Sequence, residues 1–175
     1  MIRDFNLLVS TSRGNERQMC SELSYLLKEL VGDTAPVVAK TGIRGLVAAK
    51  TSLDPCEVIE KFRGILQDRP YEFRYALRII PIERVLATNL DEVRKVAIEL
   101  AANIAENETF RVTIEKRFTS LHSRDFIEAA ANSIERKADL DNPDKVLLIE
   151  VLGGITGMSL IKPSNIIAVL KEKML

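Results

Sequence analysis

Nine consecutive residues, Lys116-Arg-Phe-Thr-Ser-Leu-His-Ser-Arg124, hold three fixed cations, one imidazole and three hydroxyls. They join the end of a predicted strand to the start of a predicted helix. A helix start presents unpaired backbone N–H groups and the positive end of its dipole, and both favour a phosphate. Lys116, Arg117 and Arg124 add full charges beside it. Thr119, Ser120 and Ser123 carry hydroxyls suited to a phosphate or a ribose 2′-hydroxyl, and His122 can stack on a base or donate to phosphate. The same residues also have a purely structural reading. In it Ser123 caps its helix, His122 fills a gap, and the arginines pair with Asp125 and Glu128.

Three more cations extend the candidate anion site. Lys145 closes the polar corner Asp139-Leu-Asp-Asn-Pro-Asp-Lys145 and is within reach of a phosphate in this reading. Arg74 and Arg78 alternate with apolar residues along a predicted strand, Glu72–Pro81, and are expected on an open sheet face. The three aspartates of the corner lack the mid-loop glycine and terminal glutamate of a calcium loop. Cys20, Cys56 and His122 fall short of the four ligands of a structural zinc site.

No signature of catalysis accompanies these cations. The chain lacks a G-x-x-x-x-G-K-[ST] phosphate loop and a G-x-S-x-G nucleophile turn. Ser120, His122 and Asp125 lie too close together in one chain to converge as a triad. Gly42-Ile-Arg-Gly45 sits between two predicted strands and reads as a hairpin turn. Gly153-Gly-Ile-Thr-Gly157 is not a dinucleotide fingerprint. The expectation is a non-enzymatic protein without cofactor or metal.

The elements that must position these residues follow from periodicity. Phe5–Thr11 reads as a strand, Glu16–Val31 as a helix with Asn15 as its cap, and Ala35–Lys40 and Leu46–Lys50 as two strands. Asp54-Pro-Cys-Glu57 combines an N-cap, a first-turn proline and a first-turn acid, and starts a helix to about Gln67. With strand Glu72–Pro81 the order is β-α-β-β-α-β, that of ferredoxin-like folds. After a linker, Pro81–Thr88, come a helix from Leu90 to Asn107, a strand Thr109–Phe118 and a helix Arg124–Lys137. Strands Val146–Val151 and Ile155–Ile161 and a final helix Pro163–Lys173 follow. The fold class is α/β (α+β), with a ferredoxin-like domain at residues 1–84 and a second α/β domain at 85–175.

Bulk properties fit a globular chain: 46% of residues are apolar and 29% charged. No run approaches the length needed to span a bilayer, and Met1-Ile-Arg-Asp4 does not open a signal peptide, so the expectation is a cytoplasmic protein with no membrane contact. Lys plus Arg and Asp plus Glu number 25 each, and neither half departs from neutrality by more than two charges. An RNA reading therefore rests on local clustering and not on bulk charge.

The stretch Phe110-Arg-Val-Thr-Ile-Glu-Lys-Arg-Phe-Thr-Ser-Leu-His-Ser-Arg-Asp-Phe-Ile-Glu resembles a THUMP domain. So do Lys137-Ala-Asp-Leu-Asp-Asn-Pro-Asp-Lys-Val-Leu-Leu-Ile-Glu-Val-Leu-Gly and Gly157-Met-Ser-Leu-Ile. The H-S-R helix start and the D-L-x-x-P-D corner before an apolar strand carry the likeness in combination, over about residues 85–165. The resemblance implies a ferredoxin-like domain preceding the THUMP domain, and a module that grips tRNA, typically at its acceptor end. Catalysis in that family sits in a separate domain. With the chain ending at Leu175, the resemblance points to stand-alone THUMP proteins that act as tRNA adaptors for an N4-acetylcytidine-forming acetyltransferase. It maps RNA contact onto Lys116, Arg117, His122, Ser123 and Arg124. Two other classes stay open at this point: a small domain binding an anion or phosphometabolite, and a protein-interaction module without RNA affinity of its own.

Overall fold

The structure, a computed structural model, describes residues 2–175 and resolves them into two compact units. The first comprises residues 2–82 and Asn165–Leu175; the second comprises Glu83–Ser164.

The first unit is built on β1 (Leu7–Ser10), α1 (Glu16–Tyr25), β2 (Val37–Lys40), β3 (Leu46–Lys50), α2 (Pro55–Asp68) and β4 (Arg78–Pro81). Its five strands lie in the order β10-β4-β1-β3-β2, where β10 is Ile167–Ala168, and every pairing is antiparallel. The order 4-1-3-2 of the first four strands is what two split β-α-β crossovers produce. Register places Leu7 and Val9 beside Ala49, Val47 and Ile79. These form the face that packs on Met19, Leu23 and Leu26 from α1 and its continuation, and on Val58, Ile59 and Phe62 of α2. Asp54 caps α2 as expected, its Oδ1 accepting from the amides of Cys56 (2.9 Å) and Glu57 (3.1 Å). The last turn of the first helix, Leu26–Leu30, widens to π geometry.

The opposite sheet face, expected to be open, carries Leu8, Ala48 and Ile80 at no more than 2% exposure and is buried. The strand expected over Glu72–Pro81 is also shorter. Pro70–Glu72 is a 3-10 turn, and pairing begins only at Arg78. Glu22 of α1 is the reason. Its carboxylate accepts the backbone N–H groups of Arg74 (2.7 Å), Tyr75 (3.1 Å) and Ala76 (3.0 Å), so those amides have no need of a neighbouring strand. Asn15 occupies the N-cap position of α1 but makes no side-chain cap.

Asp33, 2% exposed, ties the end of the first helix to the end of β3. It accepts from the Ala35 amide (3.0 Å), the Ser52 amide (3.0 Å) and the hydroxyls of Thr51 and Ser52. Burial pushes its carboxyl pKa up, but those hydrogen bonds to the charged form outweigh burial, and the net shift is downward. A depressed folded-state pKa means that the stability Asp33 contributes is present above the ordinary aspartate value, about 3.9. That stability is lost as pH falls through the lower folded value. An Asp33→Asn variant is expected to melt below wild type at pH 7, with the gap shrinking as pH drops below about 4. A gap constant from pH 7 to pH 2 in thermal melts would refute this.

The second unit runs β5 (Arg84–Ala87), α3 (Leu90–Ala101), β6 (Thr109–Arg117), α4 (Ser123–Ala131), β7 (Lys137–Ala138), β8 (Lys145–Leu152) and β9 (Ile155–Ile161). Its sheet has the order β5-β9-β8-β6-β7, with β6 parallel to β7 and β8 and the remaining pairs antiparallel. Leu147, Ile149 and Val151 alternate along β8 and face Val93, Val96, Ala97 and Leu100 of α3 and Phe126 and Ala130 of α4. Ile127 of α4 is 38% exposed. Asn89 caps α3 through the amides of Asp91 and Glu92 (2.8 and 3.2 Å).

Three expectations for residues 81–175 are corrected. The linker 81–88 contains β5, a four-residue edge strand paired only with β9. The final helix expected over Pro163–Lys173 is instead a 3-10 turn, the two-residue β10 and the short α5 (Val169–Lys173). With β10 paired to β4, Asn165–Leu175 belongs to the first unit, so the expected domain 85–175 loses its C-terminal segment. Among the described residues no helix is long and apolar enough to cross a membrane.

Candidate nucleic-acid interface

In the second unit the parallel register Arg117↔Leu152 brings the carboxyl ends of β6 and β8 to one edge. Ligands of α/β sheets gather at such ends, because the loops and helix starts that follow parallel strands cluster there. Three hydrogen bonds tie this edge together. The Gly153 amide donates to the Arg117 carbonyl (2.8 Å), the Thr88 hydroxyl to the Gly153 carbonyl (2.7 Å), and the Thr88 amide to the Gly154 carbonyl (3.0 Å). Gly153, at φ +61°, makes the β8–β9 turn.

The segment from Lys116 to Arg124 crosses this edge. The Thr119 hydroxyl accepts the Leu121 amide (3.3 Å), and Lys116 Nζ donates to the Leu121 carbonyl (3.0 Å), which folds the connection tightly onto β6. His122, not Ser123, is the N-cap of α4. The reason is Asp125, which stands three residues after His122 and accepts its amide at 3.1 Å. Ser123 therefore opens the helix, and among the described residues no acceptor lies on its amide or on that of Arg124. Ser120, His122 and Arg124 are exposed. Arg124 Nε pairs with Glu128 Oε1 at 3.0 Å, but with the arginine side chain 86% exposed the pair is a weak surface contact.

Arg117 is different. Its Nη1 lies 3.0 Å from Oε2 of Glu150, a carboxylate 1% exposed on β8. Its guanidinium compensates a buried charge and is less available to a ligand than Lys116 or Arg124. Lys145 separates from the group altogether. It stands opposite Phe110 at the amino end of the same sheet. Seven residues of strand place it roughly 23 Å from the carboxyl edge. There it binds Glu108 (3.1 Å). Glu108's pKa is held below the ordinary value by the Ala105 amide and by Lys145. The aspartates of the adjoining corner are engaged in turns. Asp139 accepts from the amides of Asp141 and Asn142, and Asp144 from the backbone amide and the hydroxyl of Thr109. Among the described residues no cluster of three or more His, Cys, Asp or Glu is placed to hold a metal.

Arg74 and Arg78 lie in the first unit and do not share a strand. Arg74 is exposed in the Glu22-bound segment; Arg78 is half-buried on β4.

Sequence reasoning passed over Phe118. At φ +56° it is the one non-glycine residue with positive φ among those described, and its side chain is 80% exposed. Left-handed backbone costs a bulky residue about 1–2 kcal/mol, and an exposed ring recovers none of it by burial. Periodicity gave no hint, because Phe118 reads as the last residue of an alternating strand.

The comparisons with known proteins agree on the second unit. Residues 87–161 match the THUMP domain family. Over 171 residues the chain is 25% identical to an uncharacterized protein of Methanocaldococcus jannaschii, covering 95% of this chain but 43% of that one. In fold it is similar to TrmN of Thermus thermophilus, with TM-score 0.65 at 16% identity over 92% of this chain and 47% of that chain. It is also similar to a 4-thiouridine synthetase solved with RNA and ATP, with TM-score 0.52 at 18% identity over 91% of this chain and 42% of that chain. The chain thus spans less than half the length of these relatives. What the two solved structures share with it is the fold, and the THUMP family match is confined to residues 87–161.

Proposed function

We propose that this protein is a cytoplasmic RNA-binding adaptor. It grips structured tRNA at the carboxyl edge of β6 and presents it to a separate tRNA-modifying enzyme, an N4-acetylcytidine-forming acetyltransferase. The observation that carries the reading is the Lys116–Arg124 corner. There exposed Lys116 and Arg124, the hydroxyls of Ser120 and Ser123, His122 and two acceptor-free helix amides share nine residues of chain with an exposed aromatic ring held in left-handed backbone. Cations and amides engage phosphates, and Phe118 stacks on an unpaired base. The THUMP match at residues 87–161 and the likeness to a synthetase solved with RNA support the assignment. In this reading the chain contributes position and not chemistry, and with a neutral net charge its affinity rests on local clusters of cations and not on bulk charge.

The test is a tRNA titration at two salt concentrations with three proteins. Wild type should bind with a salt-dependent affinity. Lys116→Gln/Arg124→Gln, which removes two phosphate contacts, should flatten the log–log salt slope by about 1.8. Phe118→Gly should melt roughly 1 kcal/mol above wild type because glycine accepts φ +56° without strain, yet bind tRNA about tenfold more weakly. Absence of binding at low salt, or binding that neither variant alters, would refute the adaptor reading. Displacement of tRNA by millimolar inorganic phosphate with no loss on Phe118→Gly would favour a small-anion site in its place.

A further inference from the structure

The chain has three tyrosines, and all three line one cleft of about 500 Å³ in the first unit. One wall is the outer stripe of α1, where Arg17, Ser21 and Tyr25 recur at four-residue spacing. The other is the segment carrying Tyr71, Arg74 and Tyr75. That wall has a defined position because Glu22, at the floor, holds the amides of residues 74–76.

The polar groups of the cleft are unequal. Both acids are occupied. Glu22 spends its oxygens on backbone amides, and Glu72 faces the Tyr25 hydroxyl at 3.4 Å and Arg69 at 3.7 Å. Burial and the Glu72 charge raise the Tyr25 hydroxyl pKa, so it stays protonated. The guanidiniums of Arg17 and Arg74, by contrast, have no protein partner among the described residues. Tyr71 is 67% exposed and Tyr25 42%. Two uncompensated guanidiniums beside three phenol rings suit a ligand with one anionic group and one planar ring. Arginine forks match phosphate oxygens, and aromatic faces stack on any base. The lining has no Leu, Ile, Val or Met, so it offers no apolar socket for the side-chain anchor of a protein partner.

We propose that this cleft holds one unpaired nucleotide of an RNA strand, its base against Tyr71 and Tyr25 and its phosphate between Arg17 and Arg74. The site stands on unit-one residues alone and is independent of the β6 corner.

The chain has no tryptophan, and its tyrosine emission comes from this cleft alone. Titration of the full chain with a short oligouridylate, corrected for absorbance, should quench tyrosine emission saturably. A blunt RNA duplex should quench far less. Anisotropy of labelled oligouridylate should show roughly tenfold weaker binding for Tyr71→Ala and for Arg74→Ala. Both side chains are exposed, and melting curves should match wild type. Lys116→Gln/Arg124→Gln should leave the quenching unchanged, which separates this site from the proposed function. Absent quenching, indifference to Tyr71→Ala, or equal quenching by polyglutamate would overturn the assignment, the last marking a docking site for an acidic protein segment.

Discussion

Arg117→Ala should destabilise the second unit by about 3 kcal/mol, more than any other single change in the basic corner. The effect comes from Glu150, 1% exposed on the central strand β8, whose Oε2 lies 3.0 Å from Arg117 Nη1. Removing one partner of such a pair takes a compensating charge away from a buried carboxylate, which costs more than the pair itself is worth. For a unit of this size the melting temperature should drop on the order of 10 °C. Adding Glu150→Gln removes the charge and should recover part of the loss, so a double-mutant cycle should show coupling above about 1 kcal/mol. A melting temperature unchanged by Arg117→Ala, or additive effects in the cycle, would remove Arg117 from this role. The consequence for function is practical. Loss of RNA binding in Arg117→Ala would be confounded with partial unfolding, whereas Lys116 and Arg124 are exposed and free of that confusion.

The residues of the corner were legible in sequence, but their division of labour was not. Charge and spacing show three cations beside a helix start. They cannot show that Arg117 lies across from a glutamate thirty-three positions later, because that proximity is set by the parallel register of β6 and β8. Lys145 is the converse case. Its charge in a polar turn reads as an extension of the anion site, but parallel pairing puts it at the far end of the sheet. The β-α-β-β-α-β order of the first unit was readable from periodicity and from the Asp54-Pro55 helix start, since both are local signals. The partner of β10 was not, because two residues pairing with a strand nearly ninety positions earlier carry no local signature. Phe118 illustrates a further limit. Its side-chain type fits a strand, and only its backbone dihedral exposes it as a strained, outward ring.

Glu22→Gln carries the second large expected effect, a loss of about 2–4 kcal/mol from the first unit. Glu22 sits with Met19 and Leu23 on the buried stripe of α1. Its two oxygens accept three consecutive amides, from Arg74 at 2.7 Å, Tyr75 at 3.1 Å and Ala76 at 3.0 Å. Hydrogen bonds to a charged acceptor contribute about 1.5–3 kcal/mol each, and glutamine keeps one acceptor oxygen while turning two N–H donors toward amides that also donate. Alternation along Phe73–Leu77 looks like a strand because the side chains do alternate in type. The backbone leaves the ladder because a carboxylate, not a neighbouring strand, takes its amides. Freed of that carboxylate, residues 73–76 lose the contact that fixes one wall of the tyrosine cleft. Hydrogen exchange at the amides of residues 74–76 should accelerate strongly in Glu22→Gln, while the Asp33 knot at the other end of the unit stays protected. Unchanged exchange at those three amides would show that Phe73 and Ala76, packed in the core, hold the segment without Glu22.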